Sequence, residues 1–221
     1  MLELDGITLA TPQRVLIRAL SARVGPGELL VVMGESGSGK SSLLAYLCGT
    51  LAPGLLASGR VRLDGRDIDA LPTVQRRVGI LFQDDLLFPH LTVLENLLFA
   101  LPAGASAERR ARAEAALASA GLAGYGPRLP HTLSGGQRSR VSVLRALLAQ
   151  PQALLLDEPF SRLDMALRER FRAFVFERLR EQRIPAVLVT HDAHDVPAGA
   201  QVIQLDDQLD DMDPGGGAGD A

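Results

Sequence analysis

The chain is short of several things, and each shortage excludes a class of protein. Among 221 residues there is one cysteine, Cys48, so no intramolecular disulfide framework can form and a reducing compartment fits. There is no basic excess: 23 Lys and Arg stand against 26 Asp and Glu, for a net charge of -3, which argues against a protein built to hold a polyanion. No long apolar run is present. The longest uncharged stretch, Ser41 to Gly59, is interrupted by Gly49, Pro53 and Gly54, so it reads as a buried helix and a turn rather than a membrane span. The start, Met1-Leu2-Glu3-Leu4-Asp5, shows no basic, apolar secretory pattern. Lysine is nearly missing too: 22 of the 23 basic residues are Arg and one is Lys40.

What is there is ordinary for a folded domain, with 47% hydrophobic and 22% charged residues. Residues 206–221 hold six aspartates, no basic residue and a triple glycine, so they are expected to be a disordered acidic tail. Without them the net charge of residues 1–205 is +3.

Short apolar or alternating runs predict strands over Gly6–Ala10, Val15–Val24, Glu28–Met33, Gly59–Leu63, Val78–Gln83, Ala153–Asp157, Ala186–Thr190 and Gln201–Leu205. Helical spacing predicts helices over Lys40–Leu47, Val93–Leu101, Ala107–Ser119, Gly135–Ala149 and Ala166–Arg183. The early strands group as an antiparallel sheet. The apolar strands that precede helices indicate a buried parallel sheet with crossover helices. About 84–150 reads as an inserted helical subdomain of a domain spanning 1–205.

Three motifs carry chemistry. The strand Leu29–Met33 runs into Gly34-Glu35-Ser36-Gly37-Ser38-Gly39-Lys40-Ser41 and then a helix, which is the P-loop spacing in its required context. Glycines let successive backbone N–H groups converge on one anion, and the helix start adds its dipole. Candidate nucleotide contacts are Gly34, Glu35, Ser36, Gly37, Ser38, Gly39, Lys40, Ser41 and Ser42, with Lys40 on the outer phosphates and Ser41 on Mg2+. Second, Ala153-Leu154-Leu155-Leu156-Asp157-Glu158 ends an apolar strand in two carboxylates, Asp157 to hold Mg2+ and Glu158 to polarise the attacking water. By itself that ending is common. Third, Leu133-Ser134-Gly135-Gly136-Gln137 reads as a capping box opening a helix, and equally as a second anion site. Two such sites in one chain suit two chains arranged head to tail, each nucleotide held by one P-loop and by the Ser134, Gly135, Gly136 and Gln137 of the other copy.

With these motifs in this order the chain resembles the ATP-binding subunits of ABC transporters over residues 1 to about 205. The resemblance implies an α/β P-loop NTPase core of RecA type, with an antiparallel β subdomain and a helical insertion. It adds Gln83 in Leu81-Phe82-Gln83 as the Q-loop glutamine near Mg2+ and the attacking water, Asp164 in Ser161-Arg162-Leu163-Asp164 as the D-loop residue between the two sites, and His191 in Thr190-His191-Asp192 as the switch histidine at the γ-phosphate. On the resemblance, Glu158, His191, Gln83 and Asp164 are catalytic, and Ser41, Gln83 and Asp157 approach the metal. His90, His131 and His194 match no such position, and Cys48 reads as core.

The stretch Phe88-Pro89-His90-Leu91-Thr92-Val93-Leu94-Glu95-Asn96 resembles importer subunits that serve a periplasmic binding protein, relatives of which move thiamine, polyamines, sulfate or iron. The chain as a whole is most similar to importer ATPases of the Ynj type. The implied partners are integral-membrane permease subunits, a second ATPase subunit in a homodimer or pseudo-dimer and, indirectly, a periplasmic solute-binding protein, with no nucleic acid. The implied place is the cytoplasmic face of the bacterial inner membrane, held peripherally, with Gln83 to Asn96 lining the groove for a permease coupling helix. An exporter or lipoprotein-release ATPase would carry the same catalytic set; a soluble ABC ATPase on DNA or ribosomes usually adds a coiled coil or a second cassette. Two departures stand out. Leu9-Ala10-Thr11-Pro12-Gln13-Arg14 lacks the aromatic residue that stacks on adenine in the family, so GTP is expected to bind nearly as well as ATP. The regulatory C-terminal domain of larger importer ATPases is not expected here.

Overall fold

A computed structural model describes residues 1–161 and 163–205; Arg162 and the acidic stretch 206–221 lie outside the described residues. The elements are β1 (Leu2–Ala10), β2 (Val15–Val24), β3 (Leu29–Met33), α1 (Lys40–Cys48), β4 (Leu56–Leu63), β5 (Arg66–Asp67), α2 (Thr73–Arg76), β6 (Val78–Leu81), α3 (Val93–Ala100), α4 (Ser106–Ser119), α5 (Gly135–Leu148), β7 (Ala153–Asp157), α6 (Met165–Glu181), β8 (Ala186–Thr190) and β9 (Gln201–Gln204). They build two sheets: β2-β1-β4-β5, antiparallel, and β6-β7-β8-β3-β9, parallel throughout. The expected α/β class, with a parallel core and an antiparallel sheet near the start of the chain, is borne out.

The central parallel strands β3, β7 and β8 are apolar along most of their length because both faces are covered. Leu30 and Val32 of β3, Leu155 of β7, and Val187 and Val189 of β8 face one way. There they pack with Leu43, Leu44 and Leu47 of α1 and with the antiparallel sheet. The alternate residues Val31, Leu154, Leu156 and Leu188 face the other way, onto α5 and α6. A period of two along each strand thus divides one apolar run between two cores. A third apolar cluster joins α3, α4 and α5 through Val93, Leu97, Leu117 and Val141.

Differences from expectation have local causes. β1 starts at Leu2 rather than Gly6, because a register irregularity between Asp5 and Thr8 absorbs Gly6 and pairing with β4 resumes beyond it. β5 and α2, two and four residues long, are too short to show periodicity. β6 ends at Leu81, so Gln83 lies beyond the strand. Cys48 is buried, as expected.

Helix α1, which begins at the P-loop lysine, is held at its far end by a buried arginine. Arg76 Nη1 donates to the carbonyls of Tyr46 (2.7 Å) and Leu47 (3.2 Å), groups a helix C-terminus leaves without partners. Its other nitrogens reach Leu71 O and Asp69 O. Among the described residues no helix is long and apolar enough to cross a membrane.

Candidate active site

All strands of the second sheet run in one direction, so their outgoing loops share one edge, where open α/β sheets bind ligands. In sheet order that edge carries Gln83 after β6, Asp157 and Glu158 at β7, His191 after β8, and the loop from Gly34 after β3. Register keeps the strand ends level: Asp157 pairs with Val189, and Thr190 with Met33. The four segments are far apart in sequence and adjacent in space.

In the loop after β3, Gly37 (φ 87°) and Gly39 (φ 96°) occupy the left-handed region that side chains disfavour. Lys40, only 6% exposed, donates from Nζ to Gly34 O at 2.7 Å and Glu35 O at 2.5 Å, so the one lysine closes the loop on itself. Gly39 caps α1 without a side-chain hydrogen bond, which leaves the first-turn N–H groups of the helix to a ligand. Ser38 Oγ is buried with no hydrogen-bond partner. An unsatisfied buried hydroxyl costs about 1–3 kcal/mol; with the open helix start and the ammonium, it fits a phosphate group. Sequence reasoning missed Arg14, whose Nη2 donates to Gly37 O at 3.1 Å from the β1–β2 turn. Nothing in the spacing of the chain marks that approach.

Asp157 is half-buried and bonded to the Ser41 hydroxyl. Burial pushes its carboxyl up, the neighbouring Glu158 charge adds to this, and Lys40 and Ser41 oppose it. Among the described residues no three or more His, Cys, Asp or Glu side chains are grouped so as to hold a metal ion by themselves. The Ser41 and Asp157 oxygens fit Mg2+, which takes one or two protein oxygens and completes its shell with phosphates and water. There it would neutralise charge on the outer phosphates.

Glu158 has φ 43°, a backbone state that costs a residue with a side chain roughly 1–2 kcal/mol. Its N–H donates to Val189 O at 3.1 Å, and its Oε1 lies 3.1 Å from His191 Nδ1. Ser161 Oγ donates to Glu158 O at 2.9 Å and accepts from Gln83 Nε2 at 3.0 Å. Gln83, Ser161, Glu158 and His191 therefore form one connected set drawn from three loops. Asp164 is exposed and caps α6, accepting from Leu167 N at 3.0 Å.

The third motif opens α5 as a capping box: Gln137 N donates to Ser134 Oγ at 3.4 Å, and Ser134 N to Gln137 Oε1 at 2.9 Å. A Cβ on Gly136 would meet the Leu167 side chain at 2.6 Å, so glycine lets α5 seat against the first turn of α6. Ser134 and Gly135 are exposed. Gly135 lines a surface recess with Gln83, Pro159 and Leu163, and no P-loop residue lines that recess.

The family profile described as ABC transporter matches residues 17–161. The ABC transporter ATP-binding protein YnjD of Escherichia coli K12 is 49% identical over 206 residues, covering 93% of this chain and 95% of that protein. An Fe(3+) ions import ATP-binding protein, FbpC of Brucella abortus strain 2308, is 45% identical over 186 residues. That match covers 83% of this chain, which spans about half (52%) of the longer protein. Among solved structures, the dimeric bacterial ABC transporter cassette MJ0796 superposes with a TM-score of 0.76 at 30% identity, covering 93% of this chain and 94% of that one. The same cassette in a dimeric post-hydrolysis state bound to ADP and Pi gives 0.75 at 30% identity, over 92% and 94%.

Proposed function

We propose that this chain, which belongs to the ABC transporter family and is an ATP-binding, ATP-hydrolysing subunit, powers a bacterial importer by docking as a head-to-tail pair beneath separate permease subunits. The observation that carries the reading is the connected set Gln83, Ser161, Glu158 and His191, beside a P-loop on the same sheet edge. Phosphoryl transfer asks mainly for positioning and charge neutralisation. Lys40 and the open helix start would bind the phosphates, and Ser41 and Asp157 would hold Mg2+. Glu158 would orient the attacking water, and His191, 3.1 Å from it, would serve as the switch residue for the γ-phosphate. The import direction is supported by the likeness to Fe(3+)-import ATPases; a periplasmic solute-binding protein acting upstream is part of the proposal. The cytoplasmic face of the inner membrane is the matching location.

A second copy supplies what one chain does not bring to its own P-loop, the exposed Ser134 and Gly135 at the start of α5. Ser134→Arg is expected to leave nucleotide binding by the monomer unchanged and to abolish ATP-dependent dimerisation, read by light scattering. Dimerisation at the wild-type level would remove the trans site from the scheme.

The permease-facing surface is proposed around Phe82, Leu86 and Phe99, large apolar side chains 43%, 56% and 69% exposed. Phe99 packs edge-on to Phe88 at 4.8 Å, and the Arg145 guanidinium lies 5.5 Å from the Phe88 ring centre. Purification of the tagged chain from detergent-solubilised membranes is expected to bring a multi-span permease with it, and Phe99→Asp to lose that partner while keeping basal ATPase activity. Recovery of ribosomes or DNA with no membrane protein would defeat the transporter reading.

A further inference from the structure

The loop that carries His191 is held by side chains of a different element. Thr190 Oγ1 donates to Asp195 Oδ2 at 2.9 Å and accepts from the Asp192 N–H at 3.1 Å, so the residues on either side of His191 are tied together. Asp195 is 1% exposed, and its two oxygens receive two arms of Arg168: Nε to Oδ1 at 2.9 Å and Nη2 to Oδ2 at 2.6 Å. The remaining nitrogen, Nη1, lies 2.7 Å from Asp192 Oδ2. The other Asp192 oxygen accepts from the His194 N–H at 2.9 Å and sits 2.8 Å from His194 Nδ1. Arg172, one turn further along α6, donates to His194 O. All three nitrogens of one guanidinium thus engage the two carboxylates that follow His191.

Hydrogen bonds from the His194 backbone and ring hold the Asp192 carboxyl down to about 2, with Arg168 adding to them. Both it and the arginine keep their charges at any pH used to assay an ATPase. The arginine itself sits in the first turn of α6, next to Leu167, whose side chain lies over Gly136 at the start of α5. A planar fork gripping two carboxylates fixes both distance and angle, which a lysine point charge cannot do.

We propose that Arg168 is a positioning residue for ATP hydrolysis: through Asp192 and Asp195 it sets His191 against Glu158 and ties that placement to the helix that follows the D-loop. The proposal rests on the reading of Glu158 and His191 as parts of the hydrolytic site. A displacement of about 1 Å in a reacting group can lower a rate by about 10²-fold. The group displaced here is His191, whereas the nucleotide contacts of the P-loop lie on another strand.

The test is steady-state ATP turnover by the full chain in two backgrounds, with ATP affinity measured by equilibrium titration. Arg168→Ala is expected to lower kcat by up to about 10²-fold with KM and affinity within about twofold, and Arg168→Lys to recover only part of the rate. In a His191→Ala background, Arg168→Ala is expected to add nothing, because residues acting as a unit are not additive. An Arg168→Ala effect of full size in that background overturns the positioning role alone, as does a loss of affinity matching the loss of kcat. A His191→Ala protein with unimpaired turnover overturns the reading of His191 and the proposal with it. Removing Arg168 alone strands a buried carboxylate. If that variant does not fold, Arg168→Ala/Asp195→Asn carries the same comparison, with the same outcomes deciding.

Discussion

Glu158→Gln is expected to lower ATP turnover by about 10²–10⁴-fold, the usual cost of losing a general base, while ATP still binds and holds two copies together as a stable dimer. The substitution keeps the size of the side chain and an acceptor oxygen toward His191 Nδ1, now 3.1 Å from Glu158 Oε1. It removes the negative charge proposed to polarise water. Nothing in the P-loop is touched, so the loss should fall on kcat and spare affinity. Single-turnover kinetics with sizing chromatography checks both halves. A variant that hydrolyses ATP at the normal rate would show that Glu158 is not the base.

Lys40→Arg is the second large effect, and it is expected despite the conserved charge. Lys40 is 6% exposed, and its ammonium fits between two carbonyls of its own loop. A guanidinium is larger and planar, and it would have to push aside the loop or α1, which Arg76 and the C-cap at Gly49 fix at the other end. Losing a charge-assisted hydrogen bond costs about 1.5–3 kcal/mol, or roughly tenfold to a hundredfold in nucleotide affinity. Overpacking adds to this on the side of the loop. Isothermal titration with ATP and Mg2+ measures it, and a melting curve shows that the fold survives. Wild-type affinity in the arginine variant would mean that the lone lysine is an accident of composition.

Much of the fold was legible because its strands and helices follow strong local rules. β2, β7 and β8 have the expected bounds: β7 and β8 are short apolar runs, and β2 alternates buried and exposed residues over much of its length up to Gly25. Where periodicity was thin the reading slipped: β5 and α2 are too short to show it, and β1 extends through Gly6 by way of a register shift. The apolar residues of α6 divide in two. Phe171, Val175 and Leu179 are buried in the core, and Leu167 is only partly buried, against Gly136. Helical spacing alone shows which residues share a face, and not what that face meets.

The candidate site divides along the same line. The P-loop, the capping box at Ser134 and the paired carboxylates are short motifs whose residue types and spacings determine local geometry, so the chain by itself carried them. Arg14 beside Gly37, Ser161 between Gln83 and Glu158, and Arg168 on the two aspartates after His191 are contacts between segments 23 to 78 residues apart. No local rule joins such segments. They meet because parallel strands deliver successive loops to one edge and because packing of α6 brings its first turn to that edge. Sequence alone therefore settled which chemistry is available, phosphate binding next to acidic residues; the tertiary structure decided which side chains hold one another in place, because only folding brings distant loops within hydrogen-bonding distance.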